Sequence, residues 1–558
     1  MGRVSVALEK PQQPRTPSAP TPMGPTRVSR TRIVATIGPA SDSPAMVERL
    51  INAGVNIFRF NFSHGTLDDH ARRLATVRAV AQRMGRPVGC LGDLQGPKIR
   101  VGKIGSGFRP EGPGVELAAG DEVVIDPDAT DAAVEALDNA AASNDAHAVA
   151  APDAQPRRLI TLPTDYEPIG REVLPGHRVL INDGNIRMLA VEGDDRRLRC
   201  SVTVGGLVTS RKGINLPDSR LSAPAITEDD WDCVEFAVNH GLDFLALSFV
   251  RNAAEVELLK DRLAGMCPAD RSQSESVLGS GTPSYIPVIA KIEKPEALAN
   301  LDAIVDAADG IMVARGDLGV EMDIAQVPVA QKRILDACDR WGKPSIVATQ
   351  MLETMIDAAT PTRAEASDVA NAIFDGAGAV MLSAETATGK HPVLVVETMS
   401  RIIQAAEARI DETPMRADPP AVLQERRYFT AALAHGAWHV ARDVGAVAVA
   451  CWSENGGTAR YLSQNDFRVP IVAYSSNPRA TRRMSLLRGV TPIHAPPPAS
   501  GRLSDWGDRV EADLLAAGLV RPNDAVVLLA GKPLGRVYST STLAVHRIGS
   551  PTGGYRTI

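Results

Sequence analysis

The sequence predicts an α/β protein built on a (β/α)8 barrel of the TIM type, with a β domain inserted into the barrel and a separate α/β domain after it. Three observations predict it. Eight short apolar runs alternate with helix-length amphipathic segments between residues 30 and 395, a Gly-, Pro- and Asp-rich stretch interrupts them after the third run, and the alternation restarts after residue 410. Apolar runs bounded by turn residues mark buried strands, and parallel strands need helical crossovers between them.

The eight runs are RIVATIG (32–38), NIFRFNF (56–62), PVGCLGD (87–93), DFLALSFV (243–250), PVIAKIE (287–293), GIMVARGD (310–317), PSIVATQ (344–350) and AVMLSAE (379–385). Eight strands close a barrel, and segments 30–98 and 216–395 together hold about 250 residues, the usual size of one. Residues 99–215 carry alternating stretches such as HRVLIND and RLRCSVTV, which read as half-buried strands of an inserted β-barrel lid domain. Within it, residues 128–156 are mostly Ala, Asp and Asn and are expected to form a flexible surface excursion. GAVAVACWS, VPIVAYSS and NDAVVLLAG give 410–558 a sheet of its own, expected to be a regulatory α/β domain. Residues 1–29 mix repeated prolines with polar residues and show no apolar period, so a disordered tail is expected.

Composition narrows the function classes. A chain of 558 residues is too long for one core, and 44% hydrophobic with 23% charged residues is ordinary for a globular protein. The formal charge is -6 with basic residues scattered, which leaves no electrostatic footprint for nucleic acid or an anionic membrane. Six cysteines without a CxxC pair argue against a disulfide framework or a zinc site. With no signal-peptide or membrane-spanning pattern, a cytoplasmic protein is expected.

In such barrels the chemistry stands at the C-terminal strand ends. Those ends supply Arg59, Asn61 and Ser63 from the second run, Asp93 from the third, and Lys291 with Glu293 from the fifth. Asp317, Thr349 with Gln350, and Ser383 with Glu385 complete the rim. Lys291 and Glu293 are two apart, so strand periodicity points both to one face. Glu293 and Asp317 offer two hard oxygen donors of the kind that hold Mg²⁺ beside phosphate oxygens. An isolated KxE is ordinarily a structural ion pair, and only the neighbouring strand ends tip the reading towards a phosphotransferase. RGDLG (315–319) places a turn after the sixth strand whose free N–H groups suit an anion. No Walker A and no full GxGxxG stands anywhere, so phosphate must meet arginine, lysine and metal.

The motifs RFNFSHG (59–65), DLQGPKIR (93–100), RKGINLP (211–217), AKIEKPEAL (290–298), MVARGDLGVE (312–321), ATQML (348–352), PTRAEASDVANA (361–372) and MLSAETA (381–387) resemble the pyruvate kinase family, in order and over residues 30–558. The resemblance implies phosphoryl transfer from phosphoenolpyruvate to ADP, giving ATP and pyruvate. It implies that Glu293 and Asp317 hold Mg²⁺, with Mn²⁺ as a substitute, that Lys291 stabilises the transferring charge, and that Arg59 clamps the phosphate. Gly316, Asp317 and Thr349 would hold the substrate carboxylate, with Thr349, Ser383 and Glu385 near the proton path. Nucleotide contacts carry over to Asn61, His64, Arg100 and Lys212. A homotetramer and a phosphorylated allosteric effector are further implications, the latter at SENGGTAR (453–460), where Glu454 argues against a doubly phosphorylated sugar and an ordinary turn is the alternative reading.

One departure bears on a second cofactor. The family's K⁺ site maps to Asn61, Ser63, Asp93 and the carbonyl of Leu94, but the usual D-T-K-G-P-E-I-R reads DLQGPKIR, with Lys98 in place of Glu. An added positive charge about 6 Å away costs a bound cation roughly 3 kcal/mol at an effective dielectric near 20. K⁺ is therefore left open as a cofactor, with Lys98 as its candidate replacement. Two rival readings are a magnesium-dependent carbon–carbon lyase on a similar barrel, which would need no nucleotide lid, and a non-catalytic homologue.

Overall fold

A computed structural model of the chain describes residues 29–105, 112–136, 158–266, 285–415, 418–532, 534–535 and 540–550. The eight expected runs form the eight strands of a closed parallel barrel: β1 (Arg32–Thr36), β2 (Val55–Asn61), β3 (Gly89–Asp93), β4 (Phe244–Leu247), β5 (Val288–Ile292), β6 (Gly310–Ala314), β7 (Ser345–Ala348) and β8 (Ala379–Leu382). Neighbours in sequence are neighbours around the ring, and β8 closes on β1 with Ile33 opposite Val380.

Alternation along each strand separates two apolar layers. Val34, Ile57, Leu91, Ala246, Ile289, Met312, Ile346 and Met381 fill the interior. Ile33, Phe58, Cys90, Leu245, Ala290, Ile311, Val347 and Val380 face outward under the helices. The helices start where the sequence caps them. Thr66, Thr227 and Thr362 each build a capping box with the acid three residues on, which satisfies N–H groups the helix itself cannot. Asp230, the acid of the second box, also accepts from Gln95 N and Gly96 N, so one helix start anchors the loop that carries Lys98.

The insert folds into a seven-stranded sheet in the order Ile214–Asn215, Arg178–Ile181, Ile186–Gly193, Leu198–Val204, Glu122–Asp126, Arg158–Pro163, Ala133–Ala136. Val115–Leu117 pairs with Gly206–Val208 beside it. Here the expected excursion is corrected at one stretch only, because Ala133–Ala136 is an edge strand paired to Arg158–Pro163. Its residues 133–135 are exposed, so backbone pairing builds it and no buried apolar pattern announces it. Residues 137–157 and the expected tail up to residue 28 lie outside the described residues. The two connections between barrel and insert run side by side, with Ile214 N donating to Ile99 O at 2.9 Å and Val101 N to Lys212 O at 2.8 Å.

The C-terminal sheet has the order Val490–His494, Ile471–Ser475, Ala448–Trp452, Ala525–Gly531, Thr540–Arg547, the last antiparallel. Its two outer strands are additions to the three expected runs. The C-terminal domain seals the bottom of the barrel. Leu486 enters the interior layer, and Arg482 Nε donates to the buried Asp243 at 2.9 Å. Among the described residues no helix is long and apolar enough to cross a membrane.

Candidate active site

At the open end of the barrel, β3 and β5 bring three charged groups together. Lys291 Nζ lies 2.9 Å from Glu293 Oε1 and 3.3 Å from Asp93 Oδ1. Asp93 Oδ2 accepts from Arg59 Nε at 2.6 Å across the β2–β3 pair. Arg59 Nη1 donates to Thr36 Oγ1 at 3.1 Å, which leaves Nη2 without a protein partner among the described residues. Glu293 is 0% exposed and Asp93 1%, so these charges face one another with little water between.

Their protonation follows from that crowding. Burial works against the Lys291 ammonium, but Asp93 and Glu293 more than offset it and hold the lysine more basic than usual. Burial also opposes the Asp93 carboxylate, and Lys291 with Arg59 outweighs it, so Asp93 is held below the usual carboxylate range. For Glu293 burial wins, and nearby Asp317 adds like-charge repulsion against the relief from Lys291, so its carboxyl is pushed up.

Three non-glycine residues at these strand ends have left-handed backbones: Phe249 (φ 54), Thr349 (φ 69) and Gln350 (φ 53). Such conformations cost about 1–3 kcal/mol each and persist where surroundings hold them. The Phe249 turn aims its N–H at Glu293 Oε2, at 2.5 Å. Thr349 is held by Arg315, whose Nη2 donates to Thr349 O at 2.9 Å while Nη1 pairs with Asp368 at 2.7 Å. After β6 the helix Arg315–Glu321 starts as RGDLG suggested, and Gly316 N donates to Thr349 Oγ1 at 2.7 Å. A Cβ at residue 316 would stand 3.3 Å from that hydroxyl, so glycine permits the approach.

Glu293 and Asp317 fit a hard dication. Glu293 Oε1 is buried and makes no hydrogen bond of good geometry despite the lysine beside it, while the Asp317 side chain is 28% exposed. No group of three or more His, Cys, Asp or Glu converges among the described residues, so substrate and water oxygens would complete the shell.

The remaining residues fall into groups. Asn61 Oδ1 accepts from Ser63 N at 3.3 Å, and Asn61 stands opposite Asp93 in register. Leu94 O accepts from Ser248 Oγ at 2.7 Å. His64 is exposed at the start of the next helix, its carbonyl 3.0 Å from His70 Nε2. Arg100 and Lys212 come together on the paired connections, with Arg100 opposite Gly213. No hydrogen bond or ion pair joins them to Asn61 or His64 among the described residues. Glu385 turns inward and accepts from Ser383 N at 2.6 Å, a brace at the end of β8. Lys98 neither points freely into solvent nor pairs with Asp93. Its ammonium lies 3.9 Å from Asp317 Oδ1 and 4.0 Å from Asp183 Oδ1 of the insert, because the anchored loop aims it across the cleft.

Two contributors escaped the sequence reading. Ser248 accepts from Lys291 Nζ at 2.7 Å, and a polar residue at the end of the fourth run was its only signal. Glu321, buried at the end of the Asp317 helix, accepts from Asn215 Nδ2 at 2.9 Å and lies 3.4 Å from Lys294 Nζ. Its carboxylate joins the insert's return strand to the barrel rim.

The chain is similar to known proteins over most of its length. Residues 28–396 match the family model described as pyruvate kinase, barrel domain, and residues 431–546 match pyruvate kinase, alpha/beta domain. A pyruvate kinase of Mycobacterium tuberculosis is 38% identical over 93% of this chain and 98% of its own length. One from Geobacillus stearothermophilus is 35% identical over 92% of this chain and 80% of its own. A solved pyruvate kinase from Cryptosporidium parvum superimposes with a TM-score of 0.77 at 32% identity, covering 93% of this chain and 96% of that one.

Proposed function

The chain belongs to the pyruvate kinase family, and from that premise we propose how its residues move a phosphoryl group from phosphoenolpyruvate to ADP. It is a phosphotransferase, and the observation that carries the residue assignment is the Lys291 ammonium set between Asp93 and Glu293 at the barrel mouth. A preorganised cation in a dry site is worth most where charge develops during reaction. Lys291 meets the transferring phosphoryl group and the enolate oxygen it leaves behind. Arg59, pinned through Nε, turns its remaining Nη2 to the phosphate. Glu293 and Asp317 would hold Mg²⁺, or Mn²⁺, whose chemistry there, when bound, would be Lewis-acid polarisation of phosphoryl and enolate oxygens.

Gly316 N–H, Asp317 N–H and the Thr349 hydroxyl receive the substrate carboxylate. Without substrate, Gly316 N–H donates to Thr349 Oγ1, and the incoming carboxylate would take over that N–H. Thr349 then stands beside the enolate carbon and passes a proton from water, while Ser383 and Glu385 brace that side. Asn61 and His64 from the barrel and Arg100 and Lys212 from the connections grip the nucleotide from opposite walls, so closing the insert excludes water.

Lys98 takes the part of a monovalent cation. Asp93 is already neutralised by Arg59 and Lys291, and the Lys98 charge at Asp317 makes the rim still less hospitable to K⁺ at Asn61, Ser63, Asp93 and Leu94. The domain division is 30–98 with 216–395, 99–215, and 410–558, assembled as a homotetramer in the cytoplasm. The free thiols of Cys90, Cys200, Cys233, Cys338 and Cys451 suit a reducing compartment. A phosphorylated effector at 453–460 would meet Glu454, whose carboxylate accepts from Trp452 Nε1 at 3.0 Å and Ser476 N at 3.4 Å. A monophosphate is therefore favoured over a doubly phosphorylated sugar, and calorimetry with AMP and sugar phosphates distinguishes them.

A coupled assay with phosphoenolpyruvate, ADP and Mg²⁺ tests the whole assignment. Pyruvate should form only with all three present. Turnover that persists without divalent metal would overturn the roles given to Glu293 and Asp317.

A further inference from the structure

The C-terminal domain carries two histidines, one turn apart on the helix Phe429–Asp443, that phosphoryl transfer does not use. His435 and His439 are half-buried, with Nε2 atoms 3.1 Å apart and ring planes at 86°. The other nitrogen of His435, Nδ1, lies 3.2 Å from Asn465 Oδ1. Asn465 Nδ2 donates to Tyr461 O at 2.8 Å, which fixes the amide with its oxygen towards the ring. A ring nitrogen facing an amide oxygen must carry the proton, so the lone pair of His435 is on Nε2 and turned to His439. Trp438 stacks against the same ring at 8°, with centroids 6.1 Å apart.

We propose that His435 and His439 form a bidentate site for a divalent transition-metal ion that prefers imidazole, namely Zn²⁺, Ni²⁺ or Cu²⁺, separate from the magnesium centre of the barrel. Residues i and i+4 share a helix face, so both rings reach one point. Two nitrogens each about 2.0–2.1 Å from one ion are about 2.9–3.4 Å apart across square-planar to tetrahedral angles. The observed separation falls inside that window. Ligating histidines nearly always donate their second N–H to a fixed acceptor, and Asn465 already serves His435 in this way. No third His, Cys, Asp or Glu converges among the described residues, so water fills the other positions.

The metal-free state has its own proton arrangement. Arg442 Nη2 lies 3.3 Å from His439 Nδ1 and donates to it, so His439 keeps its proton on Nε2 and donates to His435. On metal binding that proton moves through water to Nδ1, the Nε2 lone pair turns to the ion, and no net proton leaves. Arg442 releases readily, because its guanidinium is already 2.9 Å from Asp443 and lies over the Trp438 ring at 5.0 Å.

The test is calorimetric titration of untagged, chelator-treated full-length protein with Ni²⁺ in excess Mg²⁺, which occupies carboxylate sites but competes poorly for imidazole. Saturable binding is expected, lost in His435→Ala and weakened about 10- to 100-fold in Asn465→Ala. Turnover with phosphoenolpyruvate and ADP should be unchanged in both. Should His435→Ala fold poorly, the electron paramagnetic resonance spectrum of Cu²⁺ on the wild type decides instead, with hyperfine coupling to two nitrogens expected. No saturable Ni²⁺ binding, equal isotherms for wild type and a folded His435→Ala, or copper without nitrogen coupling would overturn the proposal.

Discussion

Ser248→Ala tests whether Lys291, in the role proposed for it, must be held as well as present. Ser248 is 2% exposed, and its hydroxyl accepts from Lys291 Nζ at 2.7 Å and donates to Leu94 O at 2.7 Å. A hydrogen bond to a charged group contributes about 1.5–3 kcal/mol, and each 1.36 kcal/mol is about tenfold in rate. If the ammonium must sit there when charge develops on the transferring group, kcat should fall about 10- to 100-fold. KM for phosphoenolpyruvate should move less, because the lost interaction matters most in the transition state. Removing the hydroxyl also deprives the buried Leu94 carbonyl of a donor, worth about 1–3 kcal/mol of stability. Steady-state kinetics at saturating ADP and Mg²⁺, run beside thermal melts, separate the two effects. A variant that melts earlier but keeps kcat within about twofold would refute the reasoning and leave Ser248 a packing residue.

Three other outcomes follow. Turnover of the wild type should be flat against added KCl, and Lys98→Glu should make it rise steeply; a steep rise in the wild type itself would sink the cation-replacement reading. Asp93 is held below the usual carboxylate range, so its stabilisation is present above the unfolded value of about 3.9 and is lost as pH falls through the lower folded value. Asp93→Asn should therefore cost about 3–5 kcal/mol at neutral pH, by leaving the buried Arg59 without its carboxylate and Lys291 with Glu293 alone, with a deficit that shrinks in melts below about pH 4. An equal deficit at both pH values would count against the ion cluster. Asn215→Ala should raise KM for ADP more than it lowers kcat, because it frees the insert's return strand from Glu321; Glu321→Gln, which keeps an acceptor for Asn215, should be milder.

The barrel was legible because buried parallel strands are short apolar runs, and each of the eight ends at a turn the sequence marks. Edge elements were not. Ala133–Ala136 is held by backbone pairing, with residues 133–135 exposed, and Val490–His494 carries Pro492, which argues against a strand unless it lies at an edge, as this one does. In the site, Lys291 and Glu293 could be placed by strand periodicity alone because both leave the same strand. Ser248 and the Asn215–Glu321 pair could not, since their partners lie 43 and 106 residues away and meet only when the barrel closes. Lys98 shows the opposite limit. Its charge was readable, but its direction depends on Asp230 anchoring the preceding loop, and that sends it to Asp317 and Asp183 rather than Asp93.

The most direct test of the central claim is the kcat of Lys291→Met with phosphoenolpyruvate, ADP and saturating Mg²⁺. If the ammonium between Asp93 and Glu293 stabilises the transferring charge, kcat should fall at least about 100-fold in a folded protein. Retention of more than about a tenth of wild-type turnover would contradict it.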